Sequence, residues 1–306
     1  MSSAANSGAA LPFFDEAAVR RVLRMEDLIP VMERALMDFS SGHVVQPVRM
    51  VIPIEQHSAF KGVMPVIYGD IMGAKLVTVY PNNASLGLPT HQAVITLFET
   101  ATGQPIAVLD GRLITEMRTA AVSAVAVRLL AAPEAKSLAI LGSGVQARAH
   151  VQALALVRKF QAIRLWSRNP EHARLCAAEI MATPMAAEDA VKGADVVVTV
   201  TNSPEPVLRR SWLKRGALVI AVGAVGPGRR ELDSDTMRGA VIVDSREAAM
   251  KEAGDILLAR SEIYAELGEL LAGTKPKPNA EITVFKSLGL AVEDIAAGKL
   301  LLDARP

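Results

Sequence analysis

Three cationic side chains in the first part of the chain stand in apolar company: Arg49 in QPVRMVIP, Lys75 in GAKLVTVYP and Arg118 in TEMRTAA. The spacing sets them near predicted strand ends or helix starts. Arg118 falls in a helix otherwise rich in alanine, valine and leucine, where a charge needs a partner. Three cations meeting in one pocket would suit a small carboxylate, gripped by an arginine through two parallel bonds. A lysine buried among other cations has a lowered pKa, which suits proton transfer near neutral pH. His91, in LPTHQAV, follows a proline–threonine turn and is a second proton-donor candidate, equally readable as a structural histidine. Taken singly, each cation also reads as a surface charge. No His, Cys, Asp and Glu cluster has metal-ligand spacing, and no G-x-S-x-G or nucleophile–base pairing occurs.

A second chemistry is written in KSLAILGSGVQARAHVQAL, residues 136–154. Gly142, Gly144 and Ala147 form G-x-G-x-x-A between an apolar strand and a helix, the context that gives the pattern meaning. Gly142 permits the tight turn, Gly144 lets the backbone approach a pyrophosphate, and Ala147 allows close helix–strand packing. The helix-start amides then face the anion. At the end of the next strand the chain reads Ser167, Arg168, Asn169, with no acid before Glu171. A site for NAD usually carries an acid there, bonded to the ribose 2′-hydroxyl. Arg168 instead suits a 2′-phosphate, so NADP(H) is expected over NAD(H).

The elements that must carry these residues fall into two styles. DEAAVRRVL and EDLIPVMERALMDFSSG have helical periodicity, the second ending at Gly42. PVRMVIPI, GAKLVTVYP, QAVITLFET and PIAVLD read as strands, the last two joined by the turn TATGQP, so an antiparallel or mixed sheet is expected. The helix TEMRTAAVSAVAVRLLA follows. From Ser137 the strands become near-continuous apolar runs: SLAILGSG, AIRLWSR, DVVVTVT, ALVIAVGAV and AVIVDS. Such runs, alternating with helices, predict a doubly wound parallel sheet. TVFKSLGLAVEDIAAGKLLLDA reads as one more helix, capping that sheet or crossing back to the first domain. The fold class is therefore α/β, a Rossmann-type parallel sheet plus an α+β unit.

Taken together these segments resemble the ornithine cyclodeaminase/mu-crystallin family, most closely its ketimine reductases. QPVRMVIP, GVMP, KLVTVY, PTHQA, VLDG, RTAAVSA, ILGSGVQA, ADVVVTVT, RELD, VDSREAAMKEAGD, AELGEL and TVFKSLGLAVED carry the likeness, in order, along nearly the whole chain. The resemblance implies a homodimer built on the first domain, residues 1–118 with 287–306, which also binds substrate, and a cofactor domain over 119–286. It implies that Arg49, Lys75 and Arg118 hold the substrate carboxylate. Gly144, Val145 and Gln146 would touch the pyrophosphate, Ser167, Arg168 and Asn169 the 2′-phosphate, and Thr199 and Thr201 would line the cofactor cleft. Cyclodeaminases of the family place an aspartate where this chain has Val225. An isopropyl group can neither pair with an ammonium nor act as a base. The implied activity is therefore reduction of Δ1-pyrroline-2-carboxylate or Δ1-piperideine-2-carboxylate to L-proline or L-pipecolate. The rivals are an ornithine cyclodeaminase-type lyase, an alanine dehydrogenase-like enzyme and a non-catalytic binder of small acids.

The bulk composition is close to that of a typical soluble globular protein. The 306 residues are 51% hydrophobic and 21% charged, enough apolar material for a core without staples. A formal net charge of +1 leaves no electrostatic footprint for nucleic acid or an anionic membrane. One cysteine, Cys176 in PEHARLCAAEIM, allows no internal disulfide, fits a reducing compartment and is expected to be a buried apolar residue. No run reaches the length of a membrane span. The opening MSSAANSGAALPFF lacks a signal-peptide pattern and is expected to be a loose tail, which makes the cytoplasm the expected location.

Overall fold

The computed structural model describes residues 10–304. Its first half runs β1 (Phe13–Phe14), α1 (Glu16–Val22), α2 (Met25–Ser40), β2 (Val44–Val45), β3 (Met50–Ile54), β4 (Ala59–Tyr68), β5 (Ile71–Val79), β6 (His91–Glu99), β7 (Pro105–Asp110) and α3 (Gly111–Leu130). There follow β8 (Ser137–Leu141), α4 (Val145–Val157), β9 (Ala162–Trp166), α5 (Pro170–Glu179), β10 (Thr183–Pro184), α6 (Ala187–Val191), β11 (Val196–Thr199) and β12 (Ala217–Ala221). The chain closes with β13 (Ala240–Val243), α7 (Arg246–Glu252), α8 (Gly254–Ala259), β14 (Ile263–Glu266), α9 (Leu267–Leu271), β15 (Ile282–Lys286) and α10 (Ala291–Asp303).

The first sheet has the order β1-β7-β6-β5-β4-β2, with β3 also paired to β4. It is antiparallel except for β1, which runs parallel to β7. The expected loose tail lies outside the described residues at positions 1–9. Phe13 and Phe14, read as part of it, instead form this edge strand against Val108 and Leu109. The β6–β7 turn closes where TATGQP predicts it, with Gly103 at φ +73° and its amide donating to the Glu99 carbonyl. The strand β4 escapes sequence reading because Gly62 and Pro65 interrupt its apolar pattern. Pro65 falls between the stretches of β4 that pair with β3 and β2, a place where a strand tolerates proline.

The second sheet is parallel throughout, in the order β10-β9-β8-β11-β12-β15-β13-β14. Every residue of β11 and β12 is buried, as strands covered on both faces must be. The fold is thus a doubly wound α/β sheet of Rossmann type joined to a mixed sheet. One expectation needs correction. TVFKSLGLAVEDIAAGKLLLDA is not a single helix: ITVFK forms β15, inserted between β12 and β13, and the helix starts only at Ala291. A short buried run of β-branched and aromatic residues cannot be told from helix by periodicity, and Gly289 at φ +81° makes the break. From there α10 returns to pack on α2 and on β4, β5 and β6 of the first sheet.

The helix α3 joins the two halves. It is apolar nearly all round and packs against α2, β6 and α10 on one side and α4 and β12 on the other. The division expected between residues 118 and 119 therefore falls inside a continuous helix. No helix among the described residues is long and apolar enough to cross a membrane.

Candidate active site

Strand alternation puts Lys75, Val77 and Val79 of β5 on one face, opposite Ile95, Ala93 and His91 of β6. That face is covered by α3 and α10, so Lys75 is only 2% exposed. It sits in mid-strand, and Arg118 well inside α3, rather than at element ends. Both are held by the start of α10. Lys75 Nζ lies 2.5 Å from Asp294 Oδ2, and Arg118 Nε donates to Asp294 Oδ1 at 3.1 Å. Arg118 Nη1 donates to Glu293 Oε2 at 2.7 Å. Arg49 reaches the same segment: its Nη2 donates to the carbonyls of Leu288 and Gly289 at 2.8 and 2.7 Å, and its Nε lies 3.0 Å from Glu252 Oε2.

The segment between β15 and α10 is shaped for this role. A Cβ on Gly289 would lie 2.3 Å from Arg118 Nη1, so only glycine leaves room for the guanidinium. The buried Asp244 carboxylate accepts the amides of Leu288 and Gly289 at 2.6 and 2.7 Å. Gln46 Oε1 accepts the amide of Val292 at 2.8 Å and caps the start of α10.

Burial, together with the repulsion of Arg118, lowers the Lys75 pKa to about 8; Asp294 opposes both. Burial alone would raise Asp294, but Lys75 and Arg118 outweigh it and hold the carboxyl below its usual value. Glu293, buried beside a guanidinium already shared with Asp294, is pushed up to about 7. Burial, with Lys75 and Arg118 nearby, lowers His91 to about 4. A histidine neutral across physiological pH is a poor general acid, so Lys75 is the better proton donor of the two.

A cleft of about 420 Å3 is lined by Val79, the last residue of β5, and Thr90, just before β6, and by Gly142, Ser167, Arg168 and Thr201 from the loops that follow strands of the second sheet. Val79 pairs with His91, so one wall of the cleft continues the strand pair that carries Lys75. The opposite wall is the crevice at the carboxyl ends of β8 and β11, where strand order reverses. Gly142 has φ +130°, and a Cβ there would lie 2.7 Å from the Val200 carbonyl. Gly144 opens α4 with no side chain capping the helix and free space where a Cβ would stand. Val145 is exposed, the Gln146 amide oxygen lacks a partner among the described residues, and Ala147 is fully buried against the sheet. The uncapped helix start and open backbone fit a dinucleotide pyrophosphate.

Beyond β9, Ser167 accepts a bond from Ser143 at 2.8 Å, and Arg168 is exposed with no ion pair among the described residues. Asn169 is partly committed: its oxygen caps α5 by accepting the amides of Glu171 and His172. Thr199 departs from expectation. It is fully buried, its hydroxyl donating to Glu231 at 2.7 Å, and of the two threonines only Thr201 lines the cleft.

Sequence reading passed over the anions of the site, Glu252, Glu293 and Asp294, and the buried Glu231. A signal existed for two of them: Glu293 and Asp294 interrupt an apolar helix just as Arg118 does. Among the described residues no group of three or more His, Cys, Asp or Glu side chains could hold a metal ion.

Known proteins share this architecture. Residues 13–305 match the model of the ornithine cyclodeaminase/mu-crystallin family. The ketimine reductase mu-crystallin of Mus musculus is 47% identical over 286 residues, 90% of this chain and 91% of that protein. The Delta(1)-pyrroline-2-carboxylate reductase of Bacillus cereus (strain ZK / E33L) is 36% identical over 306 residues, covering 93% of each. The structure of Thermococcus litoralis Delta(1)-pyrroline-2-carboxylate reductase in complex with NADH and L-proline matches with a TM-score of 0.90 and 33% identity, covering 96% of this chain and 97% of that one. By sequence along its length and by fold, the chain belongs to the ornithine cyclodeaminase/mu-crystallin family.

Proposed function

We propose that this protein is an imine reductase, an oxidoreductase acting on the CH–NH bond, that converts Δ1-pyrroline-2-carboxylate and Δ1-piperideine-2-carboxylate to L-proline and L-pipecolate with NADPH. The observation that carries the reading is the convergence of Arg49, Lys75 and Arg118, from three separate parts of the chain, on residues 288–294, with Lys75 on the strand whose last residue, Val79, lines the cleft. Arg49 Nη1 and Arg118 Nη2 make no hydrogen bonds among the described residues and are the donors left for the substrate carboxylate. Their other nitrogens are tied to carbonyls and carboxylates, so both guanidinium groups are held in place before substrate arrives. Lys75, held by Asp294, delivers a proton to the imine nitrogen. When bound, the nicotinamide cofactor supplies the hydride. Residues 142–146 would hold its pyrophosphate, and Ser167 and Arg168 a 2′-phosphate. The absence of an acid at the end of β9 supports NADPH over NADH.

Val225 argues against the lyase: cyclodeaminases of the family carry an aspartate at that position, and an isopropyl group cannot pair with an ornithine side-chain amine. We read the enzyme as a cytoplasmic homodimer, its substrate unit (1–118 with 287–306) and cofactor unit (119–286) sharing α3. NADPH oxidation with each imine tests the activity, and NADH and Arg168→Ala test the cofactor. Turnover of at least one imine is expected, with the NADPH preference falling by about ten-fold or more in the variant. Ammonia release from ornithine without imine turnover would reverse the choice toward the lyase. NADPH binding with no hydride transfer would favour the non-catalytic binder.

A further inference from the structure

Glu231 is fully buried, yet its carboxylate accepts four hydrogen bonds. Oε1 accepts the amide and hydroxyl of Thr201 at 2.6 and 2.7 Å. Oε2 accepts the hydroxyl of Thr199 at 2.7 Å and the amide of Gly223 at 2.8 Å. Four donors around it favour the ionised form, in which both oxygens only accept. Burial raises its pKa, while Lys286 and the threonines pull it back. Lys286 donates to the Gly223 carbonyl at 2.6 Å and pairs with Asp255 at 2.9 Å, and Asp255 accepts the amides of Glu231 and Leu232. The neighbours of Glu231 are the cleft wall itself. Thr201 lines it, and its hydroxyl also accepts the Ser203 amide at 3.3 Å. The Glu231 carbonyl accepts the amides of Val207 and Leu208, and Val207 lines the cleft as well. Arg229 donates to Asn202, another lining residue, at 2.8 Å.

We infer that Glu231 is a positioning residue for the dinucleotide: one carboxylate locks the loop after β11 to the loop after β12 and so sets the far wall of the cofactor cleft. The inference rests on the cofactor reading above and goes beyond it in naming the group that holds the site in shape. A glutamine there presents an NH2 to at least two donors, leaving a buried N–H or hydroxyl unpaired.

The test is NADPH binding followed by cofactor fluorescence, with no imine present. Glu231→Gln is expected to weaken binding about ten- to a hundred-fold. At saturating NADPH the KM for the imine stays within about two-fold, because the carboxylate grip lies on other elements. Thr201→Val cuts the same lock from its other side and is expected to weaken NADPH binding too. The double variant then loses less than the product of the two single losses, since both break one network. A folded Glu231→Gln protein that binds NADPH like wild type overturns the inference, as does an imine KM that rises in step with the NADPH loss. Should Glu231→Gln not fold, unchanged binding in Thr201→Val overturns it. Wild-type protein that binds neither NADPH nor NADH would sink the cofactor reading itself, and the inference with it.

Discussion

At the scale of single residues the site is an exercise in charge balance. Arg49, Lys75 and Arg118 face Glu252, Glu293 and Asp294, with His91 on the neighbouring strand and Asp244 beneath the loop. Asp294 divides its two oxygens between Lys75 and Arg118, and it opposes every other influence on the lysine, since burial, Arg118 and Arg49 all push the Lys75 pKa down. The sign of the consequence follows. In the proposed reaction the ammonium is the donor, so kcat/KM for the imine should fall as pH rises through about 8. In Asp294→Asn the raising influence is gone, and this alkaline limb should move lower by about one pH unit or more. Asp294→Glu keeps the charge and should leave the limb nearer its wild-type place. The asparagine variant also leaves two buried cations short of an anion, at a cost of about 3–5 kcal/mol, so its melting temperature should drop as well. An asparagine variant with an unmoved limb would take Lys75, or its pairing with Asp294, out of the proton transfer.

At the scale of elements, what was legible in the sequence was whatever repeats along the chain. The apolar runs of β8, β11 and β12 and the glycine turn into α4 declare a parallel sheet, and the turn on which the proposed phosphate site rests, by local pattern alone. What pattern cannot carry is distance. Asp294 lies more than two hundred residues from Lys75, and no periodicity announces that α10 crosses back to meet β5. Thr199 and Thr201 look equivalent in DVVVTVT, yet only the strand's exit from the sheet decides that one is sealed inside and the other lines the cleft. The β15–α10 connection shows the limit most clearly. Read as helix, it is in fact a loop that holds Arg49 through its carbonyls and leads into the first turn of α10, where Lys75 and Arg118 are paired, and its shape depends on Gly289. Gly289→Ala would force a left-handed φ of +81° on alanine and drive its methyl into Arg118. We expect the KM for the imine to rise about ten-fold or more while NADPH binding holds within about two-fold, because the pyrophosphate loop is elsewhere. Isothermal titration with pyrrole-2-carboxylate, a planar mimic of the imine acid, and separately with NADPH would show the split. Equal losses for both ligands would mean that the loop serves the fold at large and not the carboxylate site.

At the scale of the whole molecule, the strand that presents Lys75 inward presents Leu76 outward. The outer face of the first sheet is apolar across several strands: Val45 is 65% exposed, Met50 60%, Ile67 44%, Val94 40% and Leu76 36%. Leu76 and Val94 are register partners on β5 and β6, and Met50 and Leu76 both lie opposite Val63 on β4, so these side chains form one continuous patch. An apolar face of this breadth, on a sheet whose other side is already filled, is where the proposed homodimer would form, since a two-fold axis makes the patch self-complementary. Wild-type protein should therefore sediment at twice the chain mass. Leu76→Lys together with Val94→Lys places two charges per copy at the centre of the patch and should yield monomers. In the proposed dimer β5 would turn Leu76 to the partner and Lys75 to the site, so the freed sheet should hold Lys75 less firmly. The monomer should lose imine turnover while still binding NADPH through loops on the other sheet. Dimers that survive both substitutions would show that the face is not the interface. A fully active monomer would show that the second copy contributes nothing to the positioning of Lys75.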